Sequence, residues 1–85
     1  MWIESENGTI INSSCISRIY VTENILSSED KVALCYINIE ENQTKALYGE
    51  LSKEKAGIIY KNLKTLLIVN SNFISKEQLL EGTEV

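Results

Sequence analysis

Along this chain the spacing of apolar positions switches once, from a period of two to a period near 3.6. From Ser52 to Asn70 the residues Ala56, Ile59, Tyr60, Leu63, Leu66 and Leu67 follow the i, i+3, i+4, i+7 rule. They predict a helix with one apolar stripe, centred on Tyr60 and Leu63 and capped at its start by Ser52. Everything before it alternates in short runs, as half-buried strands do. A sheet with an apolar face needs a cover, and this helix is the candidate lid.

Trp2–Glu6 and Thr9–Asn12 flank Asn7-Gly8, the preferred pair for a two-residue type I′ turn. That turn opposes Glu6 to Thr9, Ser5 to Ile10 and Glu4 to Ile11, so Trp2 shares a face with Ile11 and Ile3 with Ile10. Asn12–Ser14 is a turn cluster. Cys15–Thr22 then alternates, with Ser17, Ile19 and Val21 on one side and Ile16, Arg18, Tyr20 and Thr22 on the other. Asn24–Asp30 reads as a loop, with Ile25 and Leu26 tucked beneath it. Lys31–Glu40 carries Val32, Leu34 and Tyr36 on one face and Ala33, Cys35, Ile37 and Ile39 on the other, the mark of a central strand covered on both sides. Glu41–Thr44 is a polar turn, and Lys45–Leu51 the next strand. Past the break at Asn70–Asn72, Ser75 and Gln78 form a capping box. Ile74 and Leu79 hold staple positions and Gly82 a stop, which predicts a second, short helix.

The fold expected is α+β: a five-stranded antiparallel meander covered by one C-terminal helix, residues 1–70, with a short terminal helix in 71–85 of the same domain. Gly8, Ile11, Asn12, Ile16, Ile19 and Val21 form a Gly-x-x-Ile-Asn…Ile-x-x-Ile-x-Val pattern behind the N-terminal hairpin. In this the chain resembles small uncharacterised bacterial and phage proteins with a pleckstrin-homology-like sheet and a C-terminal helix. The resemblance implies that fold and no catalytic residue.

Composition narrows the function more than it defines it. Eighty-five residues make one domain, and a core this small supplies about 3–5 kcal/mol unaided. The net charge is −4, with seven lysines and one arginine, Arg18. The densest basic set, Lys53, Lys55, Lys61 and Lys64, reads as a solvated helix face, so nucleic acid is not the expected partner. Glu4 and Glu6 stand where a signal peptide would be basic and then apolar, and Leu66–Val69 is the longest purely apolar run. A cytoplasmic protein with reduced thiols is therefore expected, and no membrane partner. Abundant Ile, Asn and Lys with no Pro or His is the usage of an AT-rich genome, bacterial or phage.

Chemistry has little to work with. Histidine is absent, so the usual general base near neutral pH is missing. Cys15 and Cys35 fall on strands and read as small hydrophobes. The acidic pairs Glu4/Glu6, Glu29/Asp30 and Glu40/Glu41 lack calcium-loop spacing, and there is no zinc spacing, phosphate loop or dinucleotide fingerprint. Asn7, Asn12 and Asn42 begin Asn-x-Ser/Thr triplets and read as turn residues. No catalytic residue, cofactor or metal is expected, and the protein is read as not an enzyme.

Two functions remain. The first is a protein-interaction module, in one version a phage or mobile-element inhibitor of a host defence protein. Its partner-binding residues would be the apolar positions the core stripe leaves over, Ile58, Ile68 and Val69, with Phe73, Ile74, Leu79 and Leu80 of the tail. Packed against a second copy, these would also make a two-fold homodimer. The second is a small-molecule or nucleotide binder, with Arg18 for a phosphate and Tyr20, Tyr36 and Tyr48 aligned across strands as a stacking surface.

Overall fold

The computed structural model describes residues 1–23, 31–69 and 72–83. The expected loop at Asn24–Asp30, with Ile25 and Leu26, lies outside the described residues, as does the start of the break at Asn70. The fold is α+β, with antiparallel pairing and one main helix. Its strands form two three-stranded sheets in place of one meander.

The larger sheet is a true meander. It comprises β3 (Ile16–Glu23), β4 (Lys31–Asn38) and β5 (Gln43–Ser52), in that order and antiparallel throughout. The smaller sheet holds β1 (Trp2–Glu4) between β2 (Ile10–Asn12), antiparallel, and β6 (Phe73–Ile74), parallel. What divides them is the predicted turn cluster. The Asn12 side chain accepts from the Ser14 N–H (3.1 Å) and the Ser14 hydroxyl (2.9 Å), and Ser13–Cys15 winds into a single 3-10 turn. The chain therefore leaves β2 at an angle and does not fold back beside it.

The first hairpin corrects the expected register by one residue. Glu4 pairs with Ile10, Ile3 with Ile11 and Trp2 with Asn12. Gly8 has φ +85° while Asn7 stays out of the left-handed region, so the type I′ turn does not form. Ser5 N–H donates to Thr9 O (2.9 Å) and Gly8 N–H to Ser5 O (3.0 Å), closing a three-residue loop that ends in a left-handed glycine. The Asn7 side-chain oxygen takes the Ser5 hydroxyl and the Thr9 N–H and is held inside the loop. A one-residue slip exchanges faces. Here it places Ile3 and Ile11 together in the core and leaves Trp2 and Ile10 outside.

β6 decides where the tail goes. Trp2 lies beside Phe73 and Ile3 beside Ile74, so the C-terminal segment completes the chain's own small sheet. Helix α2 (Lys76–Leu79) follows with the predicted capping box: Ser75 Oγ accepts from Gln78 N–H, and Gln78 Oε1 from Ser75 N–H. The Glu4 carboxylate accepts the Lys76 N–H (2.7 Å), tying the start of α2 to β1. Gly82 stands two residues beyond the Leu80 cap with φ +83°.

Both sheets share one core under α1 (Lys53–Ile68). Ser52 caps it, accepting from Lys55 N–H (3.1 Å), and Ala56, Ile59 and Leu63 are fully buried. They meet Val32, Leu34 and Tyr36 of β4, Leu47, Tyr48 and Leu51 of β5, and Ile3, Ile11, Ile74 and Leu79 from the small-sheet side. Tyr48 O–H to Glu4 O (3.0 Å) and Glu6 N–H to Leu47 O (3.1 Å) tie the first hairpin to β5. At Ser17 a register shift puts Ile16 on the same side as Ile19, and both pack against the core. Ala33 and Cys35, on the face of β4 away from the helix, are buried, and among the described residues no second layer packs on that face. They are small and lie between flanking strands, and the Tyr20 hydroxyl reaches Thr44 (3.5 Å) across that face.

Candidate functional site

The edge strand β3 and the flank of α1 enclose a groove. Its wider part, about 530 Å³, is lined by Tyr20 and Val21 of the strand and by Gly57, Tyr60, Lys61, Lys64, Thr65 and Ile68 of the helix. A narrower part, about 280 Å³, continues along Ile16–Ile19 against Tyr60, Leu63, Lys64 and Leu67. Tyr60 and Lys64 line both parts. The helical residues of the wider part stand at i, i+3, i+4, i+7, i+8 and i+11, one stripe of α1 adjoining the buried one.

The lining is apolar with a basic rim. Val21 is 41% exposed and Ile68 82%, and Val69 just beyond Ile68 is 64% exposed, so aliphatic surface lies open along the groove. Lys64 lies over the Tyr60 ring (5.4 Å), which holds it along the rim, while Arg18 lies over the Tyr20 ring (5.2 Å) on the face of β3 turned away from the helix, beside the groove's edge. Lys61 is the third cation, and no acidic residue lines either part. Among the described residues no carboxylate forms an ion pair with any of the three; the pair that does form, Lys45–Glu41 (2.6 Å), lies in the β4–β5 turn. This basic groove sits on a chain with twelve acidic and eight basic residues.

Gly57 is informative because nothing packs on it. A Cβ at that position would meet no atom within 4 Å. A helix-interior glycine costs about 1 kcal/mol relative to alanine, and here no close backbone approach within the fold accounts for it. It leaves the groove floor bare.

The residues expected to bind are divided by the fold. Ile68 from the partner set and Arg18 and Tyr20 from the ligand set meet at this groove, while Val69 lies at its open end. Ile74 and Leu79 are fully buried in the chain's own core and present nothing to a partner. Leu80 packs partly against that core, and Ile58 is half-buried with its Cγ2 3.8 Å from the Cβ position of Gly82. Phe73 is 43% exposed beside Trp2 on the outer face of the small sheet. The three tyrosines do not align. Tyr20 pairs with Cys35, so it faces away from Tyr36, which lies with Tyr48 on the helix-covered face. Tyr48 is 1% exposed, its hydroxyl committed to Glu4 O.

Sequence reasoning missed Gly57, Val21 and the groove role of Tyr60. Tyr60 packs partly against the core as its place in the stripe implies, while its hydroxyl reaches the Ile19 carbonyl (3.5 Å) at the groove wall. The available signal was the row Gly57, Lys61, Lys64, Thr65 and Ile68, whose spacing already defines a second face of the helix.

Among the described residues no group of three or more His, Cys, Asp or Glu could hold a metal ion. Among the same residues no helix is long and apolar enough to cross a membrane. Burial pushes the Cys35 thiol up from its ordinary value, which disfavours the thiolate. Comparison with known proteins finds no family model, curated protein or solved structure that matches this chain.

Proposed function

We propose that this protein is a small non-enzymatic interaction module that holds part of a protein partner in the β3–α1 groove. The observation that carries the reading is the groove's composition: aliphatic walls and three cations with no carboxylate, on an otherwise acidic chain. Exposed apolar surface concentrated in one concave place marks interaction sites. Small size, acidity and AT-rich usage would suit a phage or mobile-element protein that blocks a host defence protein, with this groove as the blocking surface.

Two further readings have their own observations. The wider part of the groove has the volume of an ordinary small-molecule site, and Arg18 stacked on Tyr20 could meet a nucleotide phosphate; stabilisation by a nucleotide in a thermal-shift screen would favour that reading. Self-association would use the outer face of the small sheet, where Trp2, Ile10 and Phe73 are exposed, because the tail is occupied in cis. Light scattering on the parent and on Trp2→Lys tests it: a monomeric parent rejects the dimer.

The main proposal is tested by selecting short peptides from a random display library on the folded protein and mapping the binders by backbone amide shifts. Shifts in 16–22 and 57–68 support the groove. Binders that move only amides elsewhere, or a library that yields none, reject it.

A further inference from the structure

We infer that the groove's occupant is an extended segment of another protein, carrying both aliphatic and acidic residues, which adds as a strand to the open edge of β3. The inference rests on the interaction-module reading and specifies the chemistry of the partner.

The two edges of the larger sheet are treated differently. On β5, Glu6 N–H occupies the Leu47 carbonyl (3.1 Å), and Glu50, at φ +50°, bends the strand. Such contacts and kinks are how folds guard an edge against further pairing. On β3 the register with β4 runs unbroken from Arg18 to Glu23, without proline, and among the described residues no strand pairs with its other edge. The Tyr60 hydroxyl approaches the Ile19 carbonyl there, but 3.5 Å is the outer limit of a hydrogen bond and an incoming amide would displace it readily.

An added strand would point alternate side chains toward the helix. Those side chains would meet Val21, Tyr60 and Ile68 at some positions, where they must be aliphatic, and Lys61 and Lys64 at others. Gly57 has no side chain to hold the added chain off the helix. Carboxylates among the helix-facing side chains would reach Lys61 and Lys64, and one pointing the other way would reach Arg18, three cations that no acidic group of the fold neutralises among the described residues. Main-chain bonds would supply affinity, with the side-chain alternation and charge supplying specificity. A basic or neutral segment would find the same strand edge but would leave those cations unmatched.

The peptides selected on the folded protein decide this. The expected pool combines Ile, Val or Leu with Asp or Glu on the face turned to the helix. A selected peptide should bind the Lys61→Glu/Lys64→Glu variant at least about tenfold more weakly than the parent, and its binding should weaken as salt is raised. Both lysines are exposed, and a melt confirms that the variant folds. Hydrogen exchange at amides within 18–22 should slow on binding. Groove-bound peptides without carboxylates, unchanged affinity after charge reversal, or unprotected β3 amides each overturn the inference while leaving the interaction module standing. Peptides that bind away from the groove overturn both.

Discussion

Replacing Tyr48 with Phe removes one hydroxyl and tests how the two sheets are joined. The Tyr48 hydroxyl lies 3.0 Å from the Glu4 carbonyl, and the side chain is 1% exposed. Its pKa is pushed up to about 12, first by burial and then by the nearby Glu4 and Glu6 carboxylates. In the unfolded chain a tyrosine titrates near about 10. Between those values the unfolded state binds fewer protons than the folded one, so stability falls as pH rises. Tyr48 therefore favours the fold fully below pH 10, and this contribution is lost at about 1.4 kcal/mol per pH unit toward pH 12. The variant lacks this alkaline limb. At neutral pH it lacks the hydrogen bond, worth about 1 kcal/mol and a drop of about 4–8 °C in Tm. Urea unfolding of parent and variant at stepped pH reads the difference, and the other tyrosines and the lysines cancel between the two. The parent should be the more stable at pH 7, and the two curves should cross near pH 11, roughly where the lost contribution equals the hydrogen bond. A difference that stays constant with pH would refute the buried, neutral hydroxyl.

Leu63→Ala should cost about 2–5 kcal/mol, since Leu63 is 1% exposed at the centre of the buried helical stripe; an unchanged melting temperature would show that α1 is not the core's lid. Gly57→Ala should stabilise the protein by about 0.5–1 kcal/mol, because a Cβ there meets nothing within 4 Å; a loss of stability would mean the floor of the groove is occupied in the fold. Ser75→Ala should cost about 1 kcal/mol through the capping box, and an unaltered denaturation midpoint would show that α2 does not depend on it. Cys35, buried with a raised thiol pKa, should react with a thiol reagent more slowly than half-exposed Cys15, and equal rates would contradict its inward placement.

Local signals in the sequence survived folding well. The helical stripe, the Ser52 cap and the Ser75/Gln78 box depend on residues close in the chain; cap and box form as expected, and of the stripe Ala56, Ile59 and Leu63 are buried, Tyr60 and Leu66 partly so, while Leu67 is exposed. What the sequence hid was non-local or balanced on one residue. Asn7-Gly8 can close either a two- or a three-residue loop, and the choice falls to the burial of Ile3 with Ile11, which no turn rule contains. The parallel pairing of Phe73–Ile74 with Trp2–Ile3 spans most of the chain, and two-residue strands have no periodicity to read. The apolar back of β4 suggests a second covering layer, yet among the described residues none is present: Ala33 and Cys35 are buried on that face and Ile39 is exposed. The groove was half visible: Ile68, Arg18 and Tyr20 were chosen for different functions, and only the packing of β3 against α1 brings them together.

The most direct test of the groove is to fill it without disturbing the fold, and Gly57 permits this. Gly57→Ala and Gly57→Trp are titrated with a peptide selected on the parent protein, alongside Trp2→Lys on the opposite sheet. All three variants should melt as folded proteins, since position 57 faces open space and Trp2 is half exposed. Gly57→Trp should abolish binding, while Trp2→Lys binds as the parent does and Gly57→Ala retains measurable affinity. Undiminished binding by a folded Gly57→Trp variant, or loss of binding in Trp2→Lys, would place the interaction elsewhere on the molecule.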